Sequence, residues 1–299
     1  MNYQIGVDLG GTKTEVILLH PDQRELYRKR IATPRGSDRE YESICHTVYH
    51  LIRDAVKMIP EPGEYTIGIG IPGALEPDTG LVMNANTTSL MGKPFRSDME
   101  NMLGRRVEME NDANCFTLAE SLSGGGKNYR TVFGVIMGTG CGGGLCIDGQ
   151  IHRGRHGIAG EWGHFSVDPH GNRCYCGNRG CVETKISGSG VEYAFWEKFD
   201  ERLSMKEIVE GFRKGEHRCG EIFRQFLDDF GRCLGGLISI LDPDAVVMGG
   251  GLSNIEELYT LGMERVKRYA FHPHLRTPIF RNELGDSAGV YGAAWIGKK

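Results

Sequence analysis

A chain of 299 residues is long enough for two lobes of about 150 residues, and its 39% hydrophobic and 25% charged content is that of an ordinary globular protein. A formal net charge of −4 offers no basic field for nucleic acid or an anionic membrane, which favours a small substrate that is uncharged or brings its own magnesium. The N-terminus, MNYQIGVDLGG, lacks the basic and apolar regions of a secretory signal, and no run of about 18 apolar residues is present, so the expected address is the cytoplasm with no membrane partner.

Residues 3–9 (YQIGVDL) are predicted to form a buried strand and 14–20 (TEVILLH) its return partner, joined by a tight Gly-Gly-Thr-Lys turn. Helical spacing follows over 39–58, where Ile44, Val48, Leu51, Ile52 and Val56 share one face. YTIGIGIPG (65–73) reads as a strand entering a Gly-Pro loop, and RRVEME (105–110) as a short strand. NDANCFTLAESL then opens a helix with Asn and Asp at its entry. TVFGVIMGTGCGGGLCI (131–147) repeats the first pattern of strand, polar Gly turn and return strand. Residues 152–190 are rich in Gly, His and Cys with little periodicity, as in an irregular insert that something other than a hydrophobic core must hold. A long amphipathic helix is expected over roughly 219–241, then a strand ending at Gly249-Gly250-Gly251, and DSAGVYGAAWIG closes the chain as a small-residue helix. Strands alternating with helices give an α/β class. The expected division is a small lobe at 1–111, completed by a C-terminal helix near 286–299, and a large lobe at 112–285 carrying the insert. The two lobes are expected to share a hinge and a cleft.

Two turns carry the chemistry of phosphate binding. Asp8, Gly10, Gly11, Thr12 and Lys13 place an acid, two glycines, a hydroxyl and a cation at a strand end. Glycines let backbone N–H groups converge on phosphate oxygens, and Asp8 can hold magnesium through water. A Gly-rich hairpin with no ligand would look the same, and the pattern is not a P-loop because a strand follows it. Gly138, Thr139 and Gly140 form the second turn, followed by Gly142 to Gly144; so many glycines exceed the need of a hairpin and suit a clamp on a triphosphate. Gly249 to Gly251 can pass beneath a purine or ribose, or serve merely as a strand-to-helix turn.

Asp112, where a strand meets a helix, reads either as a helix cap or as a general base kept ionised by the partly positive helix end. His164, Cys174, Cys176 and Cys181 supply one imidazole and three thiolates within 18 residues. That is a closed tetrahedral set for a structural zinc ion, and the odd total of nine cysteines argues against a disulfide framework. The other six cysteines read as packing residues. Glu161 and Glu183 flank the cluster, and carboxylates so pinned can accept hydrogen bonds from vicinal sugar hydroxyls.

The order DLGGTK, IPG, ENDANC, GTGCGGG, GEWGH, CYCGNRGC, GGG resembles the ROK family of sugar kinases and repressors over nearly the whole chain. The resemblance implies a two-lobed actin-like ATPase fold with ribonuclease-H-like lobes and a zinc-bound insert. It implies ATP with magnesium at the glycine turns, Asp112 as catalytic base, and Asn111, Glu161, His164 and Glu183 around the sugar. A homodimer is implied by the same resemblance. Within the family the stretches GVDLGGTKTEVI, NANTTSLMGKPF and CYCGNRGCVETKISGSG are similar to bacterial fructokinases, also called mannokinases. Asn86 of the second stretch is then expected to line the sugar pocket, and fructose is the expected substrate. The alternative is a kinase for N-acetylglucosamine, mannose or glucose, since ENDANC and GGGLSN are shared with N-acetylglucosamine kinases. A sugar-responsive regulator is a further alternative, disfavoured because the first phosphate strand starts at Tyr3 with no helix-turn-helix expected before it.

Overall fold

The computed structural model describes residues 2–60 and 63–297. In chain order the strands are β1 (Tyr3–Leu9), β2 (Lys13–Leu19), β3 (Glu25–Ala32), β4 (Tyr65–Ile71), β5 (Ala74–Leu75), β6 (Val82–Met83), β7 (Glu108–Asn111), β8 (Thr131–Met137), β9 (Cys141–Ile147), β10 (Gln150–Ile151), β11 (Ala245–Gly249) and β12 (Ile279–Arg281). The helices are α1 (Glu40–Lys57), α2 (Phe95–Leu103), α3 (Asp112–Ser123), α4 (Val182–Ile186), α5 (Gly188–Phe199), α6 (Met205–Arg213), α7 (His217–Leu241), α8 (Leu261–Tyr269) and α9 (Ala288–Ile296). None is long and apolar enough to cross a membrane.

Two compact units result. The first comprises Met1–Ser123, Gly149–Ala159 and Leu284–Lys299; the second comprises Gly124–Asp148 and Gly160–Glu283. This corrects the expected boundary at residue 112. Helix α3 stays with the first unit because Gly292 of α9 lies so close to it that a Cβ there would sit 1.8 Å from the Cys115 carbonyl oxygen. The expected insert is likewise divided, since 149–159 belongs to the first unit and the cysteine-bearing part to the second. The closing helix ends at Ile296, and positions 298 and 299 of its expected span lie outside the described residues.

In the first unit the sheet order is β3-β2-β1-β4-β7, antiparallel from β3 to β1 and parallel from β1 to β7. Strand β1 is apolar along most of its length because one face meets α1 and the other meets α9. Gly6 and Gly68 face each other in register, and both lie under α9. A Cβ on Gly6 would come within 2.3 Å of the Val290 carbonyl oxygen, and one on Gly68 within 1.9 Å of that of Ala293. The small residues of α9 are therefore what lets a helix lie directly on strand backbone.

The second unit repeats the pattern, with strands in the order β9-β8-β11-β12 and an antiparallel hairpin beside a parallel pair. Its core is built on α7, whose Phe223, Phe226, Phe230 and Leu234 are fully buried. Gly231 and Gly235 of the same helix let α8 approach closely. The α/β class and the paired strand–turn–strand units agree with the sequence. Strand β3, helices α2, α6 and α8 and strand β12 emerge only here, although α6 carries a clear apolar stripe at Met205, Ile208, Val209 and Phe212. The cysteine-bearing segment also holds the short helix α4, which carries Glu183. Cys45, Cys115, Cys141, Cys146, Cys219 and Cys233 are all buried, as packing residues should be.

Replacing Gly292 by Ala should lower the unfolding free energy of the chain by about 2–3 kcal/mol, because α3 and α9 must part to admit the methyl group. Urea unfolding measures this, and an unchanged midpoint would show that the close approach is not needed.

Candidate functional site

In the first unit, the turn between β1 and β2 is closed by a hydrogen bond from Gly10 N–H to the Lys13 carbonyl (3.0 Å). Thr33, just after β3, ties to the turn twice: its N–H donates to the Thr12 carbonyl (3.0 Å) and its hydroxyl to that of Gly10 (2.7 Å). The turn is thus held from one side with Lys13 left exposed. Asp8, at the end of β1, abuts Gly289, where a Cβ would lie 2.9 Å from Oδ2. Burial pushes the Asp8 carboxyl up to about 6, helped by the Glu15 carboxylate and opposed by Lys13 and Arg30.

Asn111 and Asp112 sit where β7 gives way to α3. Asn111 performs the capping: its Oδ1 accepts from the N–H groups of Ala113 (2.9 Å) and Asn114 (3.2 Å). Its Nδ2 donates to the Gly73 carbonyl (3.0 Å). Asp112 is the first residue of the helix, and its Oδ1 also accepts from Ala113 N–H (2.8 Å). Gly73 in turn lies against Ala85, which a Cβ would approach within 2.9 Å. The Gly-Pro loop therefore joins the segment bearing the exposed Asn86 to the Asn111–Asp112 corner. Glu110, 7% exposed, accepts from Asn111 N–H (2.9 Å) and Asn114 Nδ2 (3.0 Å) and pairs with Arg153 Nε. Neither partner was singled out in the sequence, because 43 residues separate them.

In the second unit, the turn Gly138–Gly140 rests on the start of α5. Gly188 N–H donates to the Gly138 carbonyl (2.8 Å), and the Ser189 hydroxyl to that of Thr139 (2.6 Å). Glu183 reaches the same turn: its Oε2 accepts from Cys141 N–H (2.9 Å), and a Cβ on Gly140 would be 2.6 Å from that oxygen. Gly250, with φ near +78°, passes the Met137 carbonyl at a distance that excludes a side chain. Gly138 and Gly251 differ, for a Cβ at either would meet no protein atom within 4 Å. Their bareness leaves room for a ligand instead of serving the protein's packing. Gly249 ends the buried strand β11.

The glycine excess beyond Gly140 has another cause. A Cβ on Gly143 would lie 2.7 Å from the Trp162 ring, and Trp162 Nε1 donates to the Gly142 carbonyl (3.0 Å). Gly163 is pressed closer still to the Cys141 carbonyl, whose oxygen a Cβ there would approach within 2.1 Å. Gly142 and Gly143 thus seat the GEWGH segment. That seating fixes Glu161 and His164 on either side of Trp162. Burial raises the Glu161 carboxyl, with His164 lowering it and the Glu183 charge raising it further.

His164, Cys174, Cys176 and Cys181 converge, their donor atoms all lying within 4.8 Å of one another. His164 Nδ1 is 3.5 Å from Cys174 Sγ, and Cys176 Sγ is 3.6 Å from Cys181 Sγ. Three thiols and an imidazole at such spacing fit a tetrahedral thiophilic ion. The segment between ligands turns at Gly177 and Gly180, both at positive φ. His164 presents its other nitrogen, Nε2, to the Tyr175 hydroxyl at 2.9 Å, a contact no local pattern announces.

Comparison with known proteins gives a consistent result. The family model described as "ROK family" matches residues 4–299. The N-acetyl-D-glucosamine kinase of Pectobacterium carotovorum subsp. carotovorum (strain PC1) is 38% identical, covering 97% of each chain. Among solved structures, the ROK hexokinase from Thermus thermophilus has a TM-score of 0.88 and 30% identity, over 99% of this chain and 98% of that one. The ROK family glucokinase from Streptomyces griseus, solved in complex with glucose and AMPPNP, has a TM-score of 0.82 and 28% identity over 99% of both chains.

Two outcomes follow from this geometry. A neutral Asp8 is favoured by folding, so its stabilisation is complete below about pH 4 and lost as pH rises through 6. In the protein free of nucleotide and metal, Asp8→Asn should therefore stabilise the fold at pH 7 by up to ~3 kcal/mol and by much less at pH 4.5. Urea titrations at the two pH values check this, and an equal gain at both would contradict it. For the sulfur cluster, elemental analysis of the purified chain should find about one zinc per chain. Cys176→Ser should lose the zinc and make the surrounding segment sensitive to protease. Equal protease resistance in the zinc-free variant would show that the segment holds itself together.

Proposed function

The chain belongs to the ROK family, and from that premise we propose that it is an ATP-dependent sugar kinase that phosphorylates N-acetylglucosamine. The observation that carries the kinase reading is the equipment of the two units. One has an acid-bearing glycine turn and an aspartate at a helix start; the other has a glycine turn with open space at Gly138, joined to Glu183. The substrate follows from the relative at 38% identity over 97% of each chain, whose name is N-acetyl-D-glucosamine kinase. This favours the alternative weighed in the sequence over fructose. The stretches that lean toward fructokinases are short, whereas the likeness to the relative extends over nearly the full length.

In the proposed reaction Asp112 takes the proton of the attacking sugar hydroxyl. The hydroxyl oxygen bonds to the γ-phosphorus, the bond from that phosphorus to the bridging oxygen breaks, and ADP leaves with the electron pair. Asn111 is assigned to the sugar through its side chain, which the helix cap and Gly73 hold rigid, with Asn86 from the neighbouring segment. Glu161, Glu183 and His164 are assigned to the other sugar hydroxyls. The backbone of Gly10, Gly11 and Thr12, the Lys13 ammonium and the turn Gly138-Thr139-Gly140 are assigned to the phosphates, and Gly249 to Gly251 to the nucleoside. Asp8 would hold magnesium, which neutralises phosphate charge when it comes with ATP. His164, Cys174, Cys176 and Cys181 would hold zinc, whose part is to order the segment carrying His164. Glu110 and Arg153 act as positioning residues behind Asn111 and Asn114.

ADP release with ATP and magnesium should show the highest kcat/KM for N-acetylglucosamine when it is compared with fructose, mannose, glucose and N-acetylmannosamine. A fructose optimum would restore the first reading, and no turnover with any hexose would refute the kinase assignment. Asp112→Asn should cut kcat by ~10^2–10^4-fold while leaving the Kd for sugar nearly unchanged. A variant that kept near-normal turnover would remove Asp112 from the role of base.

A further inference from the structure

The nucleotide turn and the sugar segment of the first unit meet at one spot, just above Gly11. A Cβ placed on Gly11 would lie 2.8 Å from Arg35 Nη2 and 3.5 Å from Thr87 Oγ1. Three features of this meeting point have no use in the fold. Arg35 is exposed, and among the described residues it has neither an ion pair within 4 Å nor a hydrogen bond, although it lies within the electrostatic reach of Glu40. Thr87 is only 8% exposed, yet its hydroxyl has no hydrogen-bond partner. Thr87 also occupies the N-cap position of the 3-10 turn Thr88–Leu90, where a hydroxyl usually caps, and it makes no capping bond. Its oxygen is turned toward Gly11 instead. An orphaned buried hydroxyl is a cost that folding alone would remove by substituting Val, so its retention points to a bond made in another state.

The surroundings hold this pair in place. Glu40 Oε2 accepts from Gly36 N–H (2.7 Å) and its Oε1 from the Ser89 hydroxyl (2.9 Å). The loop that carries Arg35 is thereby tied to the segment that carries Asn86 and Thr87. At its other end Thr33 fastens that loop to the Gly10–Thr12 turn. A cation, a waiting hydroxyl donor and a bare glycine thus stand together between the groups assigned to phosphate and those assigned to sugar. That is where a phosphoryl group in transit would be.

We propose that Arg35 and Thr87 bind the transferring phosphoryl group, Arg35 by charge-assisted hydrogen bonds to its oxygens and Thr87 by donating its hydroxyl. The assignment rests on the kinase reading above and adds two residues to it. Gly11 is bare so that phosphoryl oxygens can enter between them. The hydroxyl of Thr87 is shielded from solvent, so it is reached when the exposed Arg35 side chain lifts from the turn. The pair serves a phosphate on the sugar as well as one on the nucleotide, because both ends of the transfer pass the same spot. Sugar 6-phosphate product is therefore expected to bind through Arg35, whereas the free sugar does not use it.

The test combines kinetics, calorimetry and thermal unfolding of the whole chain with its zinc, using Arg35→Ala, Arg35→Lys and Thr87→Val. Arg35→Ala should lower kcat about 10–100-fold with the KM for N-acetylglucosamine within about twofold of wild type. It should also weaken binding of N-acetylglucosamine 6-phosphate about tenfold while the Kd of the unphosphorylated sugar stays put. Arg35→Lys should recover only part of kcat, since a point charge replaces a two-pronged donor. Thr87→Val should lower kcat several-fold yet keep or raise the thermal midpoint, because it removes an unsatisfied group. Wild-type kcat and phosphate-ester affinity in Arg35→Ala would overturn the assignment of Arg35. A lowered midpoint with unchanged kinetics in Thr87→Val would make that residue structural and overturn its assignment. If the wild-type chain turned over no hexose at all, the kinase reading would fall and this inference with it.

Discussion

Contact of helix with strand backbone at Gly6 and Gly68 is the constraint on which the first unit rests. Side chains normally hold a helix about 10 Å from a sheet, and their removal here brings α9 into direct contact with the peptide groups of β1 and β4. On its other side α9 meets α3 at Gly292 with the same closeness. A sheet, a helix and a second helix are thereby fixed in one stack. The carboxyl end of β1, which bears Asp8, and the entry to α3, which bears Asp112, are placed by that stack and not by their own loops.

The second unit reaches its order by different means. Its strands and α7 form a conventional apolar core, but the segment from Gly160 to Cys181 has few apolar residues of its own. Two anchors replace a core there. Trp162 is pressed onto the bare backbone of Gly143, and the four-residue sulfur and nitrogen cluster closes the loop beyond it. Glu183 follows directly on the last cysteine of that cluster through Val182, so the same anchor that orders the loop aims this carboxylate at the Gly140 turn. The His164, Cys174, Cys176 and Cys181 cluster and the Gly140 turn are thus linked through the two peptide bonds from Cys181 to Glu183.

Charges of both signs surround the first glycine turn: Lys13 and Arg35 stand beside it, with Asp8, Glu15 and Glu40 close by. Glu110 is buried but paired with Arg153, so its charge is not left uncompensated. The corner thus has two carboxylates with different surroundings, Asp112 at the first position of α3 and Glu110 occupied in holding the corner together.

What the sequence determined by itself was whatever depends on neighbours a few residues apart. The strand–turn–strand units, the helix entry at Asn111 and the Cys3His set are all local, because turns, caps and metal spacing are written in short stretches of chain. Even there the sequence left open whether Asn111 or Asp112 caps α3, a choice made by side-chain direction. Only the tertiary structure decided the boundary at Ser123, the use of Gly143 as a seat for Trp162, the Glu110–Arg153 pair and the meeting of Gly11, Arg35 and Thr87. Each of these joins residues from separate elements, from 19 positions apart for Gly143 and Trp162 to 177 for Cys115 and Gly292. No periodicity or spacing records such a pairing, since it arises when the sheet and its helices pack and is invisible until they do.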